Sequence, residues 1–424
     1  MYKRFVLDNG LRIILAPKAE SKVASVIVLV RNGFEYEPKE LNGISHFWEH
    51  MSFRGTEKRP TSKEISRDIE SKGGFLNAFT GEEIVVYCAK IPAAHLEVAV
   101  DLISDMLLNS KLGLEHIERE IKVIIEEINA VNDSIEESLE ELWAKFLYKG
   151  TLAGRSVLGT KTSVRGITRE KLQDYLRNHY RSQNIVISVA GNIDCQKTLA
   201  LIERYFLDIS RGDVPEKPKI RISQDKPAVL AKYKETEQTH FYLGVRMPTF
   251  NIFSPQVYAI KLLNMILGGN TSSRLFLRVR EEMGLAYEIK TDIELFTDRS
   301  HLYAYAGTAH QKTEEAIRAI CDEYKNIAQN GVSPEELEAA KEYKIGTLTV
   351  AFEDSLYLAS FLGEYELFLN KILTPEEEFK NFRKVKTEDI NHIAKTIFQP
   401  KNLNLVLIGP HKNEKRFEKI LTDF

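Results

Sequence analysis

The stretch GISHFWEHMSFRGT at residues 43–56 contains the pattern HFWEH, with His46 and His50 four positions apart and Glu49 next to the second histidine. On a helix, residues four apart lie one turn apart on the same face, so both imidazoles can reach a single metal ion. Glu49 lies on the same side, where its carboxylate can act as general base on a water molecule. H-x-x-E-H is the inverted order of a catalytic zinc motif. The pattern therefore predicts a helix carrying two zinc ligands and a catalytic base.

A catalytic zinc site normally has three protein ligands, so one more must come from elsewhere. The segment EHIEREIKVIIEE at residues 115–127 has isoleucines at helical intervals and predicts a second helix. Glu120 and Glu127 are seven apart and share a face, whereas Glu126 is rotated about 100° from Glu127. Carboxylate runs of this kind are also typical of a solvated helix face. Spacing alone leaves the choice of third ligand open.

Length and composition restrict the class of protein. The chain has 424 residues, a length that favours two domains of about 200 residues each. Its hydrophobic fraction of 43% is sufficient to form their cores. A net charge of −3 gives no electrostatic reason to expect a nucleic acid or an anionic membrane as partner. The three cysteines have no metal-ligand spacing, so we expect small buried side chains in a reducing compartment rather than disulfides. We expect the mature chain to start near Met1, without a leader, and to stay in the cytoplasm.

The chain divides near a proline-rich stretch, GDVPEKPKIRISQDKPAV at residues 212–229, which predicts a linker without regular structure. The predicted domains are therefore 1–211, which contains the metal motif, and 230–424. Both halves repeat a similar order of elements: apolar strands, two helices, an alternating strand region and two longer helices. Because the second half has no H-x-x-E-H pattern, the repeat predicts a duplication in which one half carries no metal site.

Four segments give this sequence its resemblance to a known family: residues 43–56, GGFLNAFTGEE at 73–83, IEREIKVIIEEI at 117–128 and LGGNTSSRLFLRVREEMGLAY at 267–287. They resemble the M16 (pitrilysin-type) zinc peptidases, which include mitochondrial processing peptidase and insulin-degrading enzyme, and the resemblance extends over nearly the whole chain. It implies an α+β fold of two similar domains, each a largely antiparallel (mixed) β-sheet with helices packed on it, together forming a clamshell.

The resemblance also implies roles for the second predicted helix. In the family the third zinc ligand is a glutamate about 75 residues after the second motif histidine, and counting alone points to Glu126. Matching the intervening segments implies one extra residue before Asn77, which moves the ligand to Glu127 and a supporting acidic residue to Glu120. The seven-residue interval between these two fits a helix.

The second half contains Arg280 and Tyr287 in the segment REEMGLAY. An ordinary interpretation is a surface ion pair for Arg280 and a half-buried position at the start of a strand for Tyr287. In the family, an arginine and a tyrosine at matching positions approach the zinc site from the other half of the clamshell. The resemblance therefore implies that they hold substrate and donate hydrogen bonds to the developing oxyanion.

Substrate binding is predicted at the strand region FLNAFTGEEIVVY, residues 75–87. In the family this strand lies at a sheet edge, and the substrate adds to it through backbone hydrogen bonds. Asn77 and Ala78 match the residues that contact substrate, although Asn77 taken alone is also consistent with a turn in a plain edge strand. Unfolded peptides of modest length are the expected substrates.

Together these features predict a zinc-dependent endopeptidase that cleaves peptides inside a chamber, active alone or as a homodimer. A heterodimer with an inactive homologue is an alternative, since the family contains such pairs. One competing hypothesis is a non-catalytic or partner-dependent subunit of a two-subunit processing peptidase. Another is a zinc hydrolase that acts on a non-peptide amide or ester. Sites with two histidines and a glutamate also accept manganese or cobalt.

Overall fold

The protein is described by a computed structural model of residues 2–424; the expected chain start at Met1 lies outside the described residues. The predicted α+β class with two mixed sheets is confirmed. Residue contacts divide the chain into two compact units. Unit 1 contains residues 2–130, 155–218 and 349–375, and unit 2 contains residues 131–154, 219–348 and 376–424.

Unit 1 is built on a six-stranded sheet, with strands β1 (Lys3–Val6), β2 (Arg12–Pro17), β3 (Val23–Val30), β4 (Phe75–Thr80), β5 (Val85–Pro92) and β6 (Ile185–Gly191). Their order is β1-β2-β6-β3-β5-β4, with β2 and β6 parallel and the other neighbours antiparallel. Strand β3 reads VASVIVLV, and its β-branched side chains are nearly all buried, as expected for a strand covered on both faces.

Unit 2 is built on a five-stranded sheet, with strands β7 (Ala228–Tyr233), β8 (Thr239–Arg246), β9 (Ala286–Leu295), β10 (Ser300–Thr308) and β11 (Leu403–Gly409). Their order is β7-β11-β8-β10-β9, with β7 and β11 parallel and the remaining pairs antiparallel. Residues 212–227 contain no helix or strand, as predicted from the prolines, but Ala228 and Val229 are the first residues of β7, so the predicted irregular stretch 212–229 ends two residues too late.

The α-helices in chain order are α1 (Ile44–Ser52), α2 (Ser62–Glu70), α3 (Leu96–Leu108), α4 (Leu114–Asp133), α5 (Ile135–Leu147), α6 (Lys161–Arg165), α7 (Arg169–His179), α8 (Cys195–Phe206), α9 (Val257–Gly268), α10 (Thr313–Asn330), α11 (Pro334–Ala351), α12 (Ser355–Leu369), α13 (Pro375–Lys384), α14 (Thr387–Ile397) and α15 (Lys415–Thr422). A π-helical segment spans Phe276–Glu282. Short 3-10 turns span Phe34–Tyr36, Lys39–Leu41, Ala93–His95, Leu152–Gly154, Ser182–Asn184, His310–Lys312 and Pro400–Asn402. Among residues 2–424, no helix combines the length and apolar composition that crossing a membrane requires.

Helix α12 packs on the sheet of unit 1 although it is far away in sequence. A Cβ at Gly363 would lie 2.5 Å from Leu29 Cδ1, so glycine is what lets the helix approach strand β3 so closely. At the sheet edge, Arg4 Nε and Nη2 donate to the two carboxylate oxygens of the fully buried Glu366, each at 2.8 Å. This bidentate, charge-assisted pair fixes the helix on the sheet.

Helix α5 packs on the sheet of unit 2 in the corresponding way. Its Leu139 and Trp143 are buried against Tyr242 of β8 and Val406 of β11. Each sheet is therefore covered by a helix whose sequence neighbours lie in the other unit. The domain boundaries 1–211, 212–229 and 230–424 stay a prediction, and the contact-based units differ from them by exchanging segments 131–154 and 349–375.

The cysteines form no disulfide among the described residues. Cys88 and Cys321 are buried as expected, but Cys195 is only half-buried. The expectation of burial is wrong for Cys195 because it is the first residue of α8, and the first turn of a helix is close to solvent.

Candidate metal centre

Helix α1 has one apolar face and one polar face. Phe47, Trp48 and Met51 are at most 1% exposed and pack in a cluster with isoleucines of α4 and with side chains of α7. The 3.6-residue period of the helix places His46 and His50 on the other face, where both are half-buried. Burial of the apolar face thus fixes the direction in which the motif histidines point.

The start of α1 is fixed by Glu37, a buried carboxylate that sequence analysis did not identify. Its Oε2 accepts from the backbone N–H of Gly43 at 2.7 Å and from Asn42 Nδ2 at 3.0 Å, and its Oε1 accepts from the N–H of Ser45 at 2.8 Å. Burial raises the pKa of Glu37 to about 7, against the effect of these hydrogen bonds. Glu37 lies seven residues before the first residue of α1, too far for a capping pattern to reveal it.

The structure brings His46, His50 and Glu127 together. Glu127 Oε2 lies 3.9 Å from His46 Nε2, and Glu127 Oε1 lies 3.6 Å from His50 Nε2. The centroids of the two imidazole rings are 4.5 Å apart. One ligand atom from each of these three residues lies within 4.8 Å of the other two. Within residues 2–424, no other group of three or more histidine, cysteine, aspartate or glutamate side chains is placed to hold a metal ion.

These distances fit a zinc ion. Ligand atoms about 2.0–2.1 Å from a tetrahedral zinc are roughly 3.3 Å apart, so sub-ångström shifts of the side chains would complete the geometry. Burial, and then the charge of His50, lower the pKa of His46 to about 3, which keeps its imidazole neutral as a metal ligand must be. Glu127 Oε2 is buried and has no hydrogen-bond partner among the described residues, as expected of an oxygen that faces a cation.

Glu126 lies outside this group. It is exposed, and its Oε2 accepts from Asn129 Nδ2 at 3.3 Å on the solvent side of α4. The 100° step between adjacent helical residues separates it from Glu127. Of the two candidates that counting and segment matching gave, the structure places Glu127 beside the histidines.

Glu120 and Arg54 orient His50. The fully buried Glu120 has its Oε2 3.1 Å from His50 Nδ1, and Arg54 Nη2 donates to the same oxygen at 2.9 Å. Burial alone would raise the pKa of Glu120, but the hydrogen bonds from His50 and Arg54 outweigh it and hold the pKa low. A proton held on His50 Nδ1 by this carboxylate leaves Nε2 free to bind a metal, a common arrangement at zinc sites.

The pKa of His50 responds to the same neighbours. Burial lowers it, but the hydrogen bond to Glu120 and the nearby charge of Glu127 raise it by more, so that the pKa is raised overall. The attraction of His50 for a proton reflects the negative potential of the two carboxylates. A metal cation bound by His50 would replace this added proton and would be stabilised by the same two carboxylates.

Glu49 lies beside the group and is held by Thr80, which sequence analysis did not identify. Thr80 Oγ1, at the end of β4, donates to Glu49 Oε2 at 2.6 Å, so one carboxylate oxygen is fixed and Oε1 stays available. Burial raises the pKa of Glu49, and the hydrogen bond from Thr80 opposes the shift. A carboxylate of raised pKa is a better general base near neutral pH than an ordinary one.

Strand β4 lies at the edge of the first sheet, where β5 is its one partner strand within residues 2–424. Asn77, Phe75 and Phe79 are exposed on one face of the strand, whereas Ala78 is 8% exposed on the other. An edge strand presents unpaired backbone N–H and C=O groups to which an extended peptide can add. The same strand supplies Thr80 to Glu49, so the edge begins beside the candidate metal centre.

Arg280 and Tyr287 lie in unit 2. Arg280 is in the π-helical segment, with its guanidinium carbon 5.6 Å from the centroid of the Tyr287 ring and 4.8 Å from that of Phe276. Tyr287 is the second residue of β9 and is 78% exposed, a high value for an aromatic side chain. These two predicted site residues therefore stand next to each other, with the tyrosine hydroxyl accessible.

Comparison with known families identifies two matching segments. Residues 12–161, which include the whole candidate metal centre, match the family described as Insulinase (Peptidase family M16). Residues 166–344 match the family described as Peptidase M16 inactive domain. The division agrees with the sequence, since the metal motif occurs only in the first segment.

Curated relatives match over nearly their full length. The zinc protease YmxG of Bacillus subtilis is 32% identical over 97% of this chain and 99% of its own, and it is described as uncharacterized. The uncharacterized zinc protease ML0855 of Mycobacterium leprae is 32% identical over 99% of this chain and 94% of its own.

Solved structures share the fold. A protease from Helicobacter pylori superposes with a TM-score of 0.88 at 21% identity, over 97% of this chain and all of that one. A peptidase M16 inactive domain from Pseudomonas fluorescens superposes with a TM-score of 0.89 at 16% identity, over 97% and 98% of the two chains. At these identities the likeness establishes the fold alone.

Proposed function

The chain belongs to the M16 peptidase family, and we propose that it is a zinc-dependent endopeptidase that hydrolyses unstructured peptides. The observation that carries the proposal is the convergence of His46, His50 and Glu127, with Glu49 beside them. A family member without activity would have no need to keep all four of these side chains in register.

His46, His50 and Glu127 would hold the zinc ion, the ligand set of two histidines and one glutamate that also occurs in other zinc peptidases. Zinc held there would polarise the scissile carbonyl and lower the pKa of a water molecule. Glu120 keeps the His50 ring in the orientation and tautomer that binding requires.

Glu49 carries the proton transfers in the proposed mechanism. Its Oε1 would take a proton from the attacking water, while Thr80 holds Oε2 in place. The same carboxyl group would then deliver that proton to the nitrogen of the leaving peptide. The pKa of Glu49, raised by burial, favours both the uptake and the return.

Two further parts of the proposal concern the substrate. The peptide would add as a strand to the edge of β4, with contacts to Asn77 and Ala78, so that backbone hydrogen bonds give affinity with little demand on sequence. Arg280 and Tyr287 of unit 2 would donate hydrogen bonds to the oxyanion that develops in the transition state. The exposed Tyr287 hydroxyl is consistent with that role.

We further propose that the chain acts in the cytoplasm as a homodimer, with a heterodimer containing an inactive homologue as the alternative. Sedimentation equilibrium of the purified chain tests this. A monomer of 48.5 kDa that cleaves peptides at full rate would contradict both assemblies.

The deciding experiment compares the wild type with Glu49→Gln on an unstructured, quenched fluorescent peptide, with bound zinc measured in each sample. We expect zinc in both and a loss of at least about 100-fold in turnover in the variant, since general base catalysis contributes about 10²–10⁴-fold. Glu40→Gln, the same change at an exposed turn of the same unit, is the control and should retain full activity.

Two outcomes would contradict the proposal. Equal cleavage by Glu49→Gln and wild type would remove Glu49 from the mechanism. No cleavage by a zinc-loaded wild type would favour a partner-dependent or non-catalytic subunit, and turnover of small amides or esters instead of peptides would favour the non-peptide hydrolase.

A further inference from the structure

Unit 2 contains a cavity of about 330 Å³, and its lining includes none of the candidate metal ligands. Its lining includes four cationic side chains, Lys219, Arg221, Arg246 and Arg299, and a single carboxylate, Asp298. Ligand-binding cavities usually measure about 300–1,000 Å³, so this one has room for a small ligand. The excess of positive charge is the feature to be explained.

Arg299 is held rigidly in the wall of the cavity. It is 5% exposed, and its guanidinium carbon lies 3.8 Å from the centroid of the Phe296 ring and 4.8 Å from that of Tyr148. Its Nη1 also donates to Asp298 Oδ1 at 3.2 Å. Tyr148 is itself fixed by a hydrogen bond of 2.8 Å between its hydroxyl and His301 Nδ1. A guanidinium packed between two rings is preorganised to bind an anion.

Asp298 pairs with Arg299, and within residues 2–424 no ion pair joins it to Lys219, Arg221 or Arg246. Its Oδ1 is engaged by Arg299, and its Oδ2 accepts from the backbone N–H of Ile220 at 2.8 Å. The hydroxyl of Ser300, also in the lining, donates to the carbonyl oxygens of Met247 and Phe250 at 3.0 and 2.9 Å. Each oxygen of the Asp298 carboxylate thus already has a donor within the protein, and the proton of the Ser300 hydroxyl is engaged by backbone carbonyls.

Arg246 makes no ion pair within residues 2–424, and its buried Nε has no hydrogen-bond partner there. Burial lowers the pKa of its guanidinium, which reflects a desolvated charge without an opposing carboxylate. Both Arg246 and Arg299 add to the effect of burial in lowering the pKa of His301 to about 3, so both charges act on the same ring. A buried cation that lacks a partner costs free energy unless a ligand supplies the anion.

We propose that this cavity binds a small molecule through a phosphate group. The lining leaves three positive charges without an opposing carboxylate, and a phosphate near neutral pH carries about −1.5 to −2 charges and three strong acceptor oxygens. Guanidinium groups bind phosphate oxygens in pairs with favourable geometry. A ligand with one carboxylate group in place of the phosphate would leave more of this positive charge unbalanced. The inference does not depend on the proposed peptidase activity.

The test is a titration of the purified full chain with inorganic phosphate at constant ionic strength, followed by ³¹P NMR. We expect saturable binding to one site per chain, weakened about tenfold or more by Arg246→Gln because charge-assisted hydrogen bonds are lost. Arg318→Gln is the matched control, since Arg318 is an exposed arginine of α10 that does not line the cavity, and it should bind like the wild type.

A second variant protects the test against a folding defect in Arg246→Gln. Lys219 and Arg221 are exposed, so the double variant Lys219→Gln/Arg221→Gln should fold normally and bind phosphate several-fold more weakly. Equal affinity in the wild type and both cavity variants would overturn the proposal, as would the absence of saturation at millimolar phosphate. Tighter binding of succinate than of phosphate would overturn the assignment to phosphate.

Discussion

Units 1 and 2 share an arrangement of five strands, to which unit 1 adds β1, but they differ in the side chains that these strands position. The strand order β2-β6-β3-β5-β4 in unit 1 corresponds to β7-β11-β8-β10-β9 in unit 2, with the first pair parallel in each. In the chain, the central strand of each sheet, β3 or β8, is followed by helical segments and then by the edge strand, β4 or β9. The backbone framework is therefore common to both units.

The difference lies in the helix that follows the central strand. In unit 1 this is α1, ISHFWEHMS, with two histidines and a glutamate on its polar face. In unit 2 the corresponding helix is α9, VYAIKLLNMILG, which has no histidine or carboxylate and buries most of its residues. One amphipathic helix and its partner α4 are enough to distinguish a candidate metal centre from an apolar core, so the function depends on the site and not on the fold.

The largest expected effect tests whether Glu127 completes the centre of unit 1. Loss of a residue that only supports a metal ligand lowers zinc affinity by roughly 10–100-fold. Glu127→Gln should lower it by more, because a ligand itself is removed, and the rate of peptide cleavage should decrease with it. Zinc content after dialysis and the cleavage rate measure this. Glu126→Gln, the same change at the adjacent exposed residue, should alter neither. The reverse result would assign the ligand to Glu126.

The next effect tests whether unit 2 contributes to catalysis without a metal site of its own. Tyr287→Phe removes only a hydroxyl, and if that hydroxyl stabilises the oxyanion, kcat should fall about 10²–10³-fold. Zinc content should stay at the wild-type level. Tyr343→Phe, at a tyrosine of unit 2 that is 45% exposed, is the control. A Tyr287→Phe enzyme of normal kcat would restrict the chemistry to unit 1.

A smaller effect is expected from the residue behind the ligands. Glu120→Gln leaves the volume unchanged but weakens the hydrogen bond that orients His50, and it leaves the Arg54 charge without its partner. We expect a decrease of about 10–100-fold in zinc affinity. Competition with a zinc chelator measures it, and Glu118→Gln on the exposed side of α4 is the matched control. Unchanged affinity in Glu120→Gln would show that Glu120 only pairs with Arg54.

Local sequence patterns predict the elements that hold the candidate site but not all of its members. The four-residue spacing of His46 and His50 and the isoleucine period of α4 give the two helices correctly, because both depend on neighbours within two turns. The choice between Glu126 and Glu127 depends on which face of α4 packs against α1. That is tertiary information, and resemblance to a family supplied it where spacing did not.

Contacts between residues far apart in sequence could not be predicted. The pair of Arg4 and Glu366 joins residues 362 positions apart, and it accompanies the docking of α12 on the first sheet. Glu37 and Thr80 likewise act on α1 from other segments of the chain. The cationic cavity of unit 2 assembles side chains from four separate stretches, none of which has a recognisable motif.

The smallest effect concerns two histidines that have similarly lowered pKa values but different neighbouring residues. Burial lowers the pKa of both His46 in unit 1 and His301 in unit 2 to about 3. His46 faces a histidine and a glutamate that are placed to share a metal ion with it. His301 is 1% exposed, with Tyr148 hydrogen-bonded to its Nδ1, Trp143 against its ring and Glu294 Oε2 3.5 Å from its Nε2. A lowered pKa therefore marks burial, and only the neighbouring ligands distinguish a candidate metal ligand from a core histidine.

His301→Gln tests this distinction through the pH dependence of folding. As pH falls below about 6.5, the unfolded chain protonates this histidine, but the folded chain does not until about pH 3. The wild type therefore loses stability from this residue in that window, by up to about 1.4 kcal/mol per pH unit, or about 2 kcal/mol between pH 6.5 and 5. The variant lacks this loss, so urea unfolding at pH 7 and 5 should show its stability deficit shrinking by that amount. His392→Gln, on the exposed side of α14, is the control, and loss of zinc from His301→Gln would contradict its assignment to the core.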